Sequence, residues 1–199
     1  MSRYSGSVEK TTGRTGRPRS EQAREAVLRA VDDLLLDVGY AAMTMKGIAE
    51  RAGVGRQTIY RWWSNKAEIL LEASAADAQE ELAVPPAGTP QQDLTAYLDA
   101  LVGFLAQSPP GAAYRALVAA AQHDRAVAEL ISTTDVLGDS ARTVLARVAA
   151  AGVELGPLDR ATALLIGPVF FWILSGRDPE ELSAPQLAED FLRGLEARR

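Results

Sequence analysis

The chain has 199 residues, 47% of them hydrophobic, with a formal net charge of −5, one histidine and no cysteine. That length and apolar content suffice for a buried core in one or two domains, and the absence of thiols excludes disulfides and thiolate metal sites and fits a reducing cytosol. Neither a signal-like apolar run at the amino terminus nor a stretch long enough to cross a bilayer is visible, so the expectation is a cytoplasmic protein with no membrane, metal or cofactor partner.

The charge is unevenly spread. Residues 1–66 hold 12 Lys+Arg against 7 Asp+Glu, whereas residues 67–199 hold 9 against 19. A basic first third suits a polyanion partner, and the acidic remainder should stay away from one. Ordinary scatter of surface charge is the competing explanation, so the asymmetry needs a motif beside it.

In chain order, residues 1–19 are polar, glycine-containing and basic, without periodicity, and read as a flexible arm. Arg17 and Arg19, within Arg14-Thr15-Gly16-Arg17-Pro18-Arg19, could follow a narrow minor groove or simply solvate the tail. Ala26-Val27, Ala30-Val31, Leu34-Leu35 and Val38 then form an apolar stripe at helical spacing, which Gly39 ends. Residues 44–63 carry the main signal. Ile48, Ala49 and Ala52 give one short helix an apolar face, and Ile59, Tyr60 and Trp63 give a second the same. Gly53 stops the first because glycine enters the left-handed cap conformation without steric cost, and Gly55 can cap the second. Two short helices about a tight turn, the second with polar groups facing outward, form a helix-turn-helix. The plainer alternative is an ordinary helical hairpin.

Downstream, Ser64-Asn65-Lys66 opens a fourth helix that runs to about Leu82, before the linker Pro85-Pro86-Ala87-Gly88. The remainder is helical in pattern, with no useful strand alternation and no repeat. Residues 159–175 are apolar all round, so that helix must be buried on more than one face, and Gly167-Pro168 should kink it. A last amphipathic helix falls near residues 185–195.

The run GYAAMTMKGIAERAGVGRQTIYRWWSNKAEIL, from Gly39, resembles the DNA-binding domain of the TetR family of bacterial regulators over roughly residues 20–72. Thr44, Ile48-Ala49, Ala52-Gly53-Val54, Ile59-Tyr60 and Lys66 match its pattern. Trp63 stands where phenylalanine is usual, Gly55 replaces the usual Ser or Thr cap, and Gln57 replaces a residue that is often small. The resemblance implies an all-α chain: a helix-turn-helix domain at residues 20–66 and a helical-bundle regulatory and dimerisation domain at 67–199. It implies a homodimer that represses transcription at a double-stranded, palindromic operator and answers an apolar small-molecule effector. A DNA-binding dimer whose second domain serves only dimerisation or protein docking is the alternative.

Within this scheme Arg56, Gln57 and Thr58 occupy the first turn of the recognition helix, where base edges are read. Arginine can bond guanine and glutamine can bond adenine in two-pronged fashion. Thr44, Lys46, Tyr60, Arg61, Trp62 and Lys66 are expected at backbone phosphates, with Thr44 also capping the second helix, the Tyr60 ring packed inward and Trp63 in the core. Phe104, Tyr114, Phe170, Phe171 and Trp172 are candidates for an effector pocket or, equally, for core or dimer seam, and His123 either contacts an effector or simply ends a helix in a satisfied hydrogen bond. Leu165, Val169, Trp172, Leu187, Phe191 and Leu195 are the expected dimer seam. Catalysis has little support: His123 is the one histidine, and Gly138-Asp139-Ser140-Ala141-Arg142 misses the nucleophile-elbow pattern at its last position.

Overall fold

A computed structural model of the chain describes the backbone of residues 16–196 and side chains from residue 20. Ten α-helices follow one another among these residues: α1 Gly16–Ala42, α2 Met45–Ala52, α3 Arg56–Tyr60, α4 Lys66–Glu81, α5 Pro90–Gln107, α6 Pro109–Ala121, α7 Arg125–Thr134, α8 Val136–Ala150, α9 Leu158–Leu174 and α10 Ala184–Glu196. A single 3₁₀ turn, Pro179–Glu181, precedes α10, and no strand occurs among the described residues. The all-α expectation holds.

Helix α1 begins at Gly16, earlier than the expected end of the basic arm. Pro18 fits there because the first turn of a helix needs no amide donors. Arg17 and Arg19 therefore stand on helical backbone, while their side chains and residues 1–15 lie outside the described part. Gly39 leaves the helical region at φ 75°, so the regular part of α1 ends where the sequence placed its stop.

Helices α1, α2 and α3 with the start of α4 form the head. Val27, Val31, Met43, Ile48, Ile59 and Trp63 are buried together at its centre. The indole Nε1 of Trp63 donates to Glu72 Oε2 at 3.0 Å, and Glu72 also pairs with Arg24 of α1 at 2.8 Å. Arg51 ties α2 to α1 through Asp37 at 2.6 Å and Asp33 at 3.7 Å.

Helix α4 packs on both α1 and α6, so it belongs to the head and to the bundle alike. The expected border at 66/67 thus falls at the first turn of a shared helix. In the bundle, α5 lies centrally and touches α6, α8, α9 and α10. Leu94, Tyr97, Leu98, Leu101 and Leu105 of α5 are fully buried, which is the stripe its sequence displayed. Helix α9 runs unbroken through Pro168 and buries Ala161, Leu165 and Val169 against the bundle. Its other side is open: Leu158, Leu164, Phe171 and Leu174 are exposed. No helix among the described residues is long and apolar enough to cross a membrane.

Candidate nucleic-acid interface

The turn between α2 and α3 is built from backbone groups. Gly53 sits at φ 67°, ψ 28°; its amide donates to the Glu50 carbonyl at 3.3 Å and that of Val54 to the Ala49 carbonyl at 3.1 Å. This pair of bonds is the Schellman ending, which a residue with a Cβ reaches only at a steric cost. At the other end of α2, Thr44 Oγ1 accepts from the Gly47 amide at 3.0 Å and so caps the helix, as expected. Gly55 caps α3 without a side-chain bond, and α3 lasts only five residues.

That short helix presents its polar edge outward. Ile59 is 1% exposed and anchors α3, while Arg56 and Gln57 are exposed and Thr58 is half-buried. Arg61 is exposed beside them, its guanidinium 4.7 Å from the centre of the half-buried Trp62 ring. Trp62 in turn meets Trp63 edge to face at 5.4 Å. Lys46 is exposed and pairs with Glu50 at 3.5 Å. The geometry gathers Arg56, Gln57, Tyr60 and Arg61 on one surface, and neither arginine is paired with a carboxylate among the described residues.

Two expected roles change. Tyr60 does not pack into the head; it is 56% exposed, because Ile59 and Trp63 already fill the space beneath α3. Lys66 does not face outward toward phosphates. Its Nζ donates to the carbonyls of Tyr40 at 2.7 Å, Met43 at 2.9 Å and Ala41 at 3.4 Å, and lies 4.3 Å from the centre of the Tyr40 ring. An ammonium has three donors, and all are engaged. The acceptors lie at the end of α1 and in the link to α2, so Lys66 fastens that end from the start of α4. Burial pulls its pKa below the ordinary lysine value, while the carbonyls and the ring supply the attraction that offsets the desolvation. The Arg51–Asp37 tie and the Lys66 clamp are positioning contacts that the sequence pattern did not disclose.

The expected effector residues do not converge. Phe104 and Tyr114 are buried against each other, ring centres 6.1 Å apart, where α5 meets α6. His123 is exposed beyond the end of α6. Phe171 is 60% exposed, Phe170 and Trp172 are half-buried, and Trp172 Nε1 donates to the Asp178 carbonyl at 2.8 Å. Two buried tyrosines mark the polar interior instead: the Tyr97 hydroxyl pairs with Ser140 Oγ at 3.0 Å, and burial pushes both Tyr97 and Tyr114 up to about 12. Of the expected dimer seam, Leu165, Val169 and Phe191 are buried within the chain itself, whereas Trp172, Leu187 and Leu195 are half-buried. The face of α9 left open is one helical step away, through Leu164, Pro168, Phe171 and Leu174. Leu164 and Pro168 border a groove of about 240 Å³ with Leu187 and Leu195 of α10.

A short exposed helix seated on a three-helix core, joined to a larger bundle by a shared helix, is the architecture of a helix-turn-helix DNA-binding regulator. Comparison with known proteins agrees. Residues 27–73 match the model of bacterial regulatory proteins of the tetR family, and residues 84–193 match that of the tetracyclin repressor-like carboxy-terminal domain. The chain is 33% identical over 189 residues to the uncharacterized HTH-type transcriptional regulator YdeS of Bacillus subtilis (strain 168), covering 92% of this chain and 94% of that protein. It is 33% identical over 114 residues, 57% of this chain and 60% of the relative, to the DNA-binding transcriptional repressor TetR of Mycobacteroides abscessus. Among solved structures, the TetR family transcription regulator SCO0332 superposes with a TM-score of 0.70 at 27% identity, covering 87% of this chain and 98% of that one. The chain belongs to the TetR family of DNA-binding transcriptional regulators and is not an enzyme.

Proposed function

We propose that the protein is a ligand-responsive repressor that occupies a palindromic operator as a homodimer. The observation that carries the reading is α3: Ile59 fixes it to the head while Arg56 and Gln57 project into solvent, with the half-buried Thr58 following them. Gln57 reads a base, Arg56 reads guanine or grips a phosphate, and Thr58 lies at the margin. Arg61, Tyr60, Trp62 and Lys46 meet the backbone; Thr44 and Lys66 act behind them by holding α2 and the end of α1 in place. One five-residue helix spans few base pairs, so a second head is needed for a site of useful specificity. The open face of α9, with its groove against α10, supports pairing there: an apolar strip carrying Phe171 at 60% exposure is costly to leave in water. The name of the Mycobacteroides abscessus relative supports repression, and the kinship of the second domain to the tetracyclin repressor supports an effector.

Selection of bound fragments from random duplex DNA tests the reading. A two-fold symmetric site is expected, with half-sites about one helical turn (about 34–36 Å) or a multiple apart. Enrichment of no sequence would overturn base reading by α3, and a single unpaired half-site would overturn the dimer.

A further inference from the structure

The aromatic residues expected to line a pocket are packed or dispersed, yet an open cleft of about 300 Å³ lies elsewhere, between the end of α4, the strap that follows it and one face of α8. Its wall on α8 runs from Val136 through Thr143 and Val144 to Arg147, a spacing that puts all four on one side of the helix. Leu82 and Val84 form the opposite wall. The cleft is therefore apolar over most of its surface, with Gln79, Ser140 and Thr143 as polar groups along it and a cation toward the end of α8, a size and make-up suited to a small ligand.

Arg147 is poised unusually. Its Nη1 donates to the Val84 carbonyl at 2.7 Å, which holds the strap down. Its Nε is buried and finds no hydrogen-bond partner among the described residues; the carboxylate beside it, Asp93 Oδ2, stands off at 3.7 Å. Asp93 Oδ1 accepts from the Ala87 amide at 2.6 Å on the same strap, and its Oδ2 faces Arg147 within ion-pair range but short of a hydrogen bond. A buried donor without an acceptor is a cost that an incoming oxygen recovers. Asp139, the acidic group on this wall, is paired with Arg142 at 2.8 Å and so opposes an anion only weakly.

We propose that this cleft is the effector site, and that it takes a small molecule with an apolar body and one terminal carboxylate, which Arg147 receives. The proposal rests on the reading of the chain as a ligand-responsive regulator. Binding draws the guanidinium off the Val84 carbonyl and frees the strap at the end of α4, the helix whose other end Lys66 clamps to the head. Ligand and operator then compete through the strap, because only the unliganded state keeps both of its bonds.

The test uses octanoate and 1-octanol as probes of the full-length protein. The ¹⁵N resonance of the Arg147 Nε–H group, assigned by its loss in Arg147→Lys, is followed during titration, and operator affinity is measured in parallel. Octanoate is expected to move the resonance and weaken operator binding at least fivefold, with octanol doing neither. Since loss of Arg147 strands Asp93 and could unfold the bundle, the exposed Thr143→Trp provides the second variant: it fills the cleft, keeps the fold and abolishes the octanoate response. An equal response to octanol, no response to octanoate, or a response that survives Thr143→Trp overturns the site. A resonance that answers octanoate in a protein that selects no DNA sequence upholds the site and defeats the regulator reading instead.

Discussion

The head and the bundle are both helical, but they are held by different means. Helices α2 and α3 have eight and five residues, too short to persist alone, and depend on a threonine cap, a glycine turn and a core of few side chains. Helices α5, α8 and α9 have 18, 15 and 17 residues and bury whole faces against several neighbours. Truncating one buried side chain in the head therefore removes a larger share of what orients it than the same truncation does in the bundle. Helix α3, the proposed reading helix, is the shortest α-helix among the described residues and is held by a single buried side chain of its own, Ile59.

The largest effect expected from this contrast is at Ile59. Replacing its fully buried side chain by alanine opens a cavity under α3 and should cost about 2–5 kcal/mol. Hydrogen exchange should show the amides of α2 and α3 losing protection while those of α5 and α8 keep theirs. If all four helices lost protection together, the head would not be a separately stabilised unit and the contrast would break.

Next in size is Lys66→Met. It leaves the carbonyls of Tyr40 and Met43 without their charged donor, a loss of about 1.5–3 kcal/mol for bonds of this kind. Denaturant unfolding should report it, and operator affinity should fall because the end of α1 and the entry to α2 shift. The slope of affinity against salt should stay the same, because no phosphate contact is removed. A slope reduced by about one ion would restore Lys66 to the DNA backbone and sink the clamp.

The bundle has its own vulnerability, toward alkali. Tyr97 and Tyr114 are raised by burial from 10.0 to about 12, so the unfolded chain loses their protons before the folded one does. Below pH 10 their contribution is fully present; between pH 10 and about 12 it is lost, at about 1.4 kcal/mol per pH unit for each tyrosine. Tyr97→Phe should flatten that part of the stability profile, and a profile unchanged by the substitution would show that Tyr97 is not the group titrating.

What the sequence made legible follows the same division. The stop at Gly39, the cap at Thr44 and the turn at Gly53 each depend on neighbours within a few residues, and each stands as expected, as does the burial of Trp63, which helical spacing alone marks as apolar-facing. The Lys66 clamp was hidden because its acceptors lie 23 to 26 residues away and exist only once α1 has ended beside α4. Residues 159–175 are apolar on every side, so periodicity cannot say that Leu165 and Val169 face the bundle rather than a second subunit. The cleft on α8 is illegible for a related reason: Val136, Thr143, Val144 and Arg147 read as one more amphipathic face, and only the fold sets Leu82 and Val84 across a gap from them.

The smallest expected change in stability is the sharpest probe of the head. Gln57 is exposed and its side chain has no hydrogen-bond partner among the described residues, so Gln57→Ala should leave unfolding within about 0.5 kcal/mol of the original. Its effect should appear only on DNA. A glutamine bonded to adenine by two hydrogen bonds contributes about 1–3 kcal/mol of discrimination, so the variant should bind substituted and unsubstituted operators almost alike at that one base pair. Its salt slope should match the parent, which separates reading a base from gripping a phosphate. Arg56→Ala supplies the contrast: loss of preference at one guanine with an unchanged slope makes Arg56 a second reader, whereas uniform weakening with a shallower slope makes it an anchor. Should Gln57→Ala keep the full sequence preference of the parent, α3 reads through another side chain and its first turn does not point at base edges.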